Sequence, residues 1–227
     1  MNRSFSLPFL IMGVVFCVCL ICSNLLEVKM ISLGGITATA GLIVFPISYI
    51  INDCIAEVWG YRKARLIIWL GFLMNLMAII FIQIAIILPS ALFCDGQKSF
   101  ETVFSSTPRI LLASFIAFLV GSFLNAYVMS KMKISSKGKH FSLRAITSTV
   151  VGESADSLLF FPIAFGGVVP VNELLILIVT QACLKTAYEI VILPVTIRVV
   201  RFVKKIDGSD VYDQKVSYNI FKIKELQ

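Results

Sequence analysis

Three pairs of ionisable residues sit at helical spacing inside apolar stretches of this 227-residue chain: Asp53 and Glu57, Glu153 and Asp156, Lys185 and Glu189. Spacings of three and four put both members of a pair on one helical face, and Gln181 extends the last stripe by a turn. A charge facing hydrocarbon costs roughly 3 kcal/mol, so six of them cost on the order of 15 kcal/mol or more, less what snorkelling recovers. These groups must face inward, pair or carry protons. A salt bridge from Lys185 accounts for one carboxylate, and Glu57 is placed to snorkel beside Arg62. One lysine does not neutralise all the acids in the three pairs, so the surplus negative charge calls for a cation, a proton or a donor-rich ligand.

The elements that must position these side chains are membrane-spanning helices. Hydrophobic residues make up 58% of the chain and charged ones 15%, with a mean hydropathy of +0.93, far from the balance of a soluble domain. Stretches long enough to cross roughly 30 Å of hydrocarbon run over 8–26, 41–58, 66–89, 109–130, 143–163 and 171–197. The expected fold is an all-α polytopic membrane protein, a bundle of six transmembrane helices. Basic residues mark alternate connections: Arg3 before the first span, Arg62, Lys63 and Arg65 after the second, Lys131, Lys133, Lys137, Lys139 and Arg144 after the fourth, Arg198, Arg201, Lys204 and Lys205 after the sixth. Retention of basic loops on the inner side predicts that both termini are cytoplasmic. Residues 1–205 then form the transmembrane domain and 206–227 a short cytoplasmic tail. The apolar run after Arg3 lacks a cleavage site and reads as a span, not a signal peptide.

The net charge of +7 is explained by those inner loops, and no basic stripe with interleaved aromatics supports a nucleic-acid role. Trp59 and Tyr61, beside Arg62, read as an aromatic belt at the inner interface. Cys17, Cys19, Cys22, Cys54 and Cys183 fall within spans and only Cys94 near an outer loop, so no disulfide framework is expected. No metal site is expected either, because the single histidine, His140, lies in a basic loop. No phosphate-binding G-x-x-x-x-G-K-[ST] and no H-E-x-x-H occurs, and no cofactor is implied.

Smaller signals concern packing and ligand contact. Ala113, Ala117 and Gly121 form a small-residue stripe on the fourth span, which packs within the chain or across a homodimer. Asn125 continues that face as helix glue or ligand contact. Asn24, near Ser23 and Glu27 at the outer end of the first span, carries the same two readings. Phe45-Pro46-Ile47 and Phe161-Pro162-Ile163 stand at the outer ends of the second and fifth spans, where proline caps or kinks a helix. A carboxylate enzyme acting on a lipid and a passive structural subunit both stay open on these residues alone.

The runs Ser23-Asn24 with Glu27 to Lys29, Val44-Phe45-Pro46 to Asn52-Asp53, and Glu57-Val58-Trp59-Gly60-Tyr61-Arg62-Lys63-Ala64-Arg65 resemble the bacterial queuosine precursor transporter family. Gly152-Glu153 with Asp156 and Phe161-Pro162-Ile163-Ala164-Phe165-Gly166-Gly167 is similar to its second signature, and Lys185 with Glu189 to a third, weaker one. The resemblance covers roughly residues 10–200.

It implies an importer in the bacterial inner membrane for 7-deazaguanine bases (queuine, or the cyano or aminomethyl form), precursors of the tRNA nucleoside queuosine. A guanine-like edge presents a ring N–H beside an exocyclic amine, two donors that one carboxylate accepts together. The implied substrate contacts are Asn24, Phe45, Asp53, Asn125, Glu153, Asp156, Gln181, Lys185 and Glu189. Glu153 or Asp156 reads the guanine edge, and Phe45, Phe161 or Tyr188 stacks on the base. Secondary active transport would place proton coupling on Glu153 and Asp156. The family also resembles the substrate-binding subunits of energy-coupling-factor importers, which borrow an external ATPase module.

Overall fold

The apolar stretches form helices whose directions are set by glycine. In the computed structural model, which describes residues 6–26, 29–33, 36–91, 96–104, 108–214 and 216–222, the order is α1 (Leu7–Leu26), β1 (Met30–Leu33), β2 (Ile36–Thr39), a 3-10 turn (Ala40–Ile43), α2 (Phe45–Ile87), α3 (Gln97–Phe104), α4 (Pro108–Ser135), α5 (Phe141–Phe165) and α6 (Val171–Asp207). Arg3, Glu27 and Cys94, all used in the sequence reading, lie outside the described residues. The all-α expectation needs one correction. β1 and β2 pair antiparallel from Met30↔Thr39 to Leu33↔Ile36, a register that leaves two residues, both glycine in the sequence, to join them.

The second and third expected spans are one helical run, α2, broken only at Gly60 with φ 81 and ψ 175. That backbone region is essentially closed to residues bearing a Cβ. Contacts on either side show that the chain reverses there. Before the break, Tyr49 lies against Gly121, Asn52 against Asn125 and Glu57 against Lys133, so this limb runs parallel to α4. After it, Ile67 meets Gly13, and Gly71 meets Phe16 and Leu20, so the second limb runs parallel to α1. The helices α1 and α4 are themselves antiparallel, since Phe16 touches Phe118 while Asn24 meets Ser114. The expected basic loop after the second span is therefore a single-residue turn, with Arg62, Lys63 and Arg65 already helical.

α4 and α5 approach closely where both lack side chains. A Cβ on Gly121 would stand 2.9 Å from the Gly152 carbonyl oxygen, and one on Gly152 would stand 2.9 Å from Asn125 Cβ. Gly121 of the small-residue stripe thus packs within the chain, and Ala113 and Ala117 are buried with it. At the C-terminal end of α5, Arg109 donates to the carbonyls of Ile163 (2.5 Å) and Gly166 (2.6 Å), capping the turn that follows Pro162.

Burial is inverted relative to a water-soluble protein. Leu10, Val14, Phe81, Ile84 and Val191 are exposed, whereas Asp53, Glu57, Arg65, Arg144, Glu153 and Glu189 are buried. Such a surface is solvated by lipid. Among the described residues, four helical segments are long and apolar enough to cross a membrane by length and composition: Leu7–Leu26, Ala40–Ile87, Leu112–Ser135 and Val171–Asp207. Serines, threonines and the two acids lower the hydropathy of α5. Trp59 and Tyr61 are not a lipid-facing belt: both are buried, and the Trp59 indole donates to Asp207 (2.7 Å).

Candidate functional site

Helical periodicity carries the polar residues of α2, α4, α5 and α6 to a common interior, where they sort into two layers. The middle layer holds two kinds of acid. On one side Lys185 Nζ bridges Glu153 Oε2 and Asp156 Oδ2, each at 2.9 Å, and lies 4.0 Å from the centre of the Phe45 ring. Tyr49 packs beside Phe45, with ring centres 5.4 Å apart. This is the ion pair expected from the sequence, with both α5 acids sharing the cation.

The other side has acids with no cation of their own. Asp53, 0% exposed, accepts from Ser148 Oγ at 3.4 Å and faces Glu189 and Asn125. Glu189, 1% exposed, faces Asp53 and Thr149. The Asn52 amide donates to Asn125 Oδ1 (2.8 Å) and to the Ser122 carbonyl (3.3 Å). Several polar atoms remain unsatisfied: both Glu189 oxygens, Asp53 Oδ2, Asn52 Oδ1, Asn125 Nδ2, Thr149 Oγ1 and the Tyr49 hydroxyl. Buried polar atoms are normally hydrogen-bonded, so this cluster of donors and acceptors is the candidate binding site.

The second layer closes the bundle next to Gly60. Arg144 grips Glu57 through both terminal nitrogens, one at 3.2 Å from Oε1 and the other closer to Oε2. Lys204 donates to Glu57 Oε1 (2.6 Å), and Lys133 lies 3.8 Å from it while donating to the Glu57 carbonyl. Glu57 therefore does not snorkel beside Arg62; three cations from α4, α5 and α6 hold it in the interior. The segment after α6 completes this layer. Asp210 receives Lys133 (2.5 Å) and Lys204 (2.9 Å), while Asp213 accepts from the Tyr61 backbone N–H (2.8 Å) and Ser130 Oγ (2.5 Å). Partial burial raises the Asp210 carboxyl, but hydrogen bonds from Lys133 and Lys204 outweigh it and hold the group below its ordinary value. Further along, Arg65 donates to the carbonyls of Ser217 (3.1 Å) and Asn219 (2.6 Å).

Of the residues expected at the site, Phe45, Asp53, Asn125, Glu153, Asp156, Lys185 and Glu189 share the middle layer, and Gln181 is buried one turn before Lys185 on α6. Asn24 is not brought there. It meets Ser114 (3.2 Å) and lines a small cavity with Asn75 and Ile82 toward the C-terminal ends of α1 and α2. Phe161 stacks on Phe165, and Tyr188 is half-buried. The sequence reading passed over Tyr49, Asn52, Ser148 and Thr149. Their signal was present: Tyr49 lies one turn before Asp53, and Thr149 one turn before Glu153, on the same helical faces. Among the described residues no group of three or more His, Cys, Asp or Glu is placed to hold a metal.

Known proteins give this arrangement a context. Residues 39–199 match the family model described as "Putative vitamin uptake transporter". The chain is 31% identical over 176 residues to the "Probable queuosine precursor transporter" of Bacillus subtilis (strain 168), a match spanning 77% of this chain and 76% of that one. It is 28% identical over 146 residues to the "Queuosine precursor transporter" of Escherichia coli (strain K12), covering 63% of this chain and 62% of the relative. A third, "Probable queuosine precursor transporter" of Haemophilus influenzae, is 29% identical over 128 residues, with 56% and 52% covered. No solved structure matches.

Proposed function

This chain belongs to the vitamin uptake transporter family, alongside the queuosine precursor transporters, and on that premise we propose that it is a bacterial inner-membrane importer of 7-deazaguanine bases. The observation that carries the reading is the middle layer, where the buried Glu153 and Asp156 share the Lys185 ammonium beside the Phe45 ring, and two more buried acids, Asp53 and Glu189, stand next to them. A deazaguanine edge supplies adjacent N–H donors that a carboxylate of the Lys185 side accepts together. Glu153 and Asp156 retain lone pairs beyond those given to Lys185, and Phe45 offers a ring at the same level.

The chain crosses the bilayer six times in this reading, with both termini inside. Its support is the reversal at Gly60, which turns α2 into two antiparallel spans, and the basic character of the layer next to that turn. Transport is secondary active and driven by protons, because a surplus of buried carboxylates is the natural receptor for them.

The test is complementation. A bacterium unable to make or import queuosine precursors, but able to incorporate each base, is given this chain and fed each deazaguanine in turn, and queuosine in tRNA is scored. Restoration by at least one base, lost in Glu153→Gln at matched membrane level, is the expected result. Failure with every base despite good expression overturns the proposal.

A further inference from the structure

The two halves of the middle layer are not equivalent. Glu153 and Asp156, the pair whose spacing pointed to coupling, share the Lys185 ammonium. They are charge-compensated by a fixed cation, and a proton arriving there would compete with it. Asp53 and Glu189 come from different helices, α2 and α6, and face one another, and among the described residues neither is paired with a cation.

Two carboxylates in contact inside a membrane do not both stay ionised: mutual repulsion and lost hydration favour a single shared proton. The surroundings match that state. From α2, Tyr49 lies within electrostatic reach of Asp53, and the Cys54 thiol within reach of Asp53, Glu57 and Glu189. From α4 comes Asn125, whose Nδ2 is fully buried, makes no hydrogen bond and lies on the Asp53 side. From α5 come Ser148, Thr149 and Glu153, and from α6 Lys185, which is already held by Glu153 and Asp156. The groups able to donate to the pair are thus neutral amides and hydroxyls, which solvate a carboxylate without displacing a proton.

We propose that Asp53 and Glu189 form one proton-binding site that couples proton entry to import of the base, leaving the Lys185 side to hold the base. This rests on the importer reading above. The pair also bridges helices that must separate or close for access to alternate: loss of the proton leaves two like charges facing each other between α2 and α6, and gain of it removes the repulsion.

The experiment uses the full chain in proteoliposomes containing a pH-sensitive dye, with 7-cyano-7-deazaguanine, its aminomethyl analogue and queuine as probes. Two quantities are read: exchange of labelled for unlabelled base without a gradient, and internal acidification when base is added outside. Asparagine and glutamine imitate protonated acids, so in Asp53→Asn and Glu189→Gln the acidification per mole of base exchanged is expected to fall to background, whereas Glu189→Asp, which retains the carboxyl, keeps the wild-type ratio. Acidification that survives in Asp53→Asn and Glu189→Gln overturns the inference. So does loss of exchange in both variants while Glu189→Asp still exchanges, because the pair is then needed for the base itself. Wild-type exchange with no acidification overturns the coupling assignment alone, and no exchange of any of the three bases by wild type overturns the importer reading and this inference together.

Discussion

Glu57 and Arg144, 87 residues apart, meet as an ion pair in which each residue is 1% exposed. Breaking a buried pair by removing one partner costs about 3–5 kcal/mol, because the other charge is stranded. Arg144→Ala is expected to destabilise by that order, measured by thermal unfolding in detergent. Glu57→Gln should be at least as severe, since it leaves Arg144, Lys133 and Lys204 repelling one another around a vacated carboxylate. Lys204, 26% exposed, is the mild case, and its replacement by alanine should cost about 1 kcal/mol or less.

Gly60→Ala should fail for two separable reasons. Its φ of 81 with ψ of 175 is strained for any residue with a Cβ, at roughly 1–3 kcal/mol, and that Cβ would also stand 2.6 Å from Asp213 Oδ1. Adding Asp213→Ala relieves the collision but not the strain, so the double variant is expected to remain well below wild type in melting temperature. Full recovery would show that the collision alone mattered.

Gly121→Ala and Gly152→Ala act on one contact from opposite sides. Each new methyl strikes the facing helix, at 2.9 Å from the opposing glycine's carbonyl oxygen in both cases. Each single substitution is expected to lower base uptake by moving Asn125 away from the acids of α5. The double variant should be less harmful than the sum of the two, because helices already forced apart admit the second methyl.

Asp210 carries the acid-side prediction. Its carboxyl is held below the ordinary value by Lys133 and Lys204, so its contribution to stability is present above the unfolded value of about 4 and is lost as pH falls through the lower folded value. Its side chain is 45% exposed, which keeps the effect small through solvent screening. Unfolding midpoints followed below about pH 5 should fall more steeply for wild type than for Asp210→Asn.

Much of this architecture was legible in the chain because lipid leaves few choices. Charges spaced three and four apart within apolar runs have to face inward, and Lys185 does bridge Glu153 and Asp156. What escaped was decided by contacts between distant segments. Nothing local to Glu57 announces that Lys133, Arg144 and Lys204 converge on it, and nothing near Asp213 says that it reaches the Tyr61 backbone beside a helix break 152 residues earlier. The hairpin before α2 was legible and overlooked: Gly34-Gly35 is a two-residue turn signal, with β-branched Ile31 before it and Ile36, Thr37 and Thr39 after it. Asn24 takes the packing side of its two readings. Amides near a membrane surface satisfy neighbouring helices as readily as ligands, and here the partner is Ser114.

The Glu57 cluster also sets a timetable for manufacture. The first of its cations to be made, Lys133, follows 76 residues later, Arg144 follows 87 later and Lys204 147 later. At about 5–20 residues per second, the newborn α2 hairpin waits ~4–17 s for Arg144 and ~7–29 s for Lys204. During that interval a glutamate destined for the interior has no counter-ion, so the hairpin must linger at the water interface or within the insertion machinery until α5 and α6 emerge.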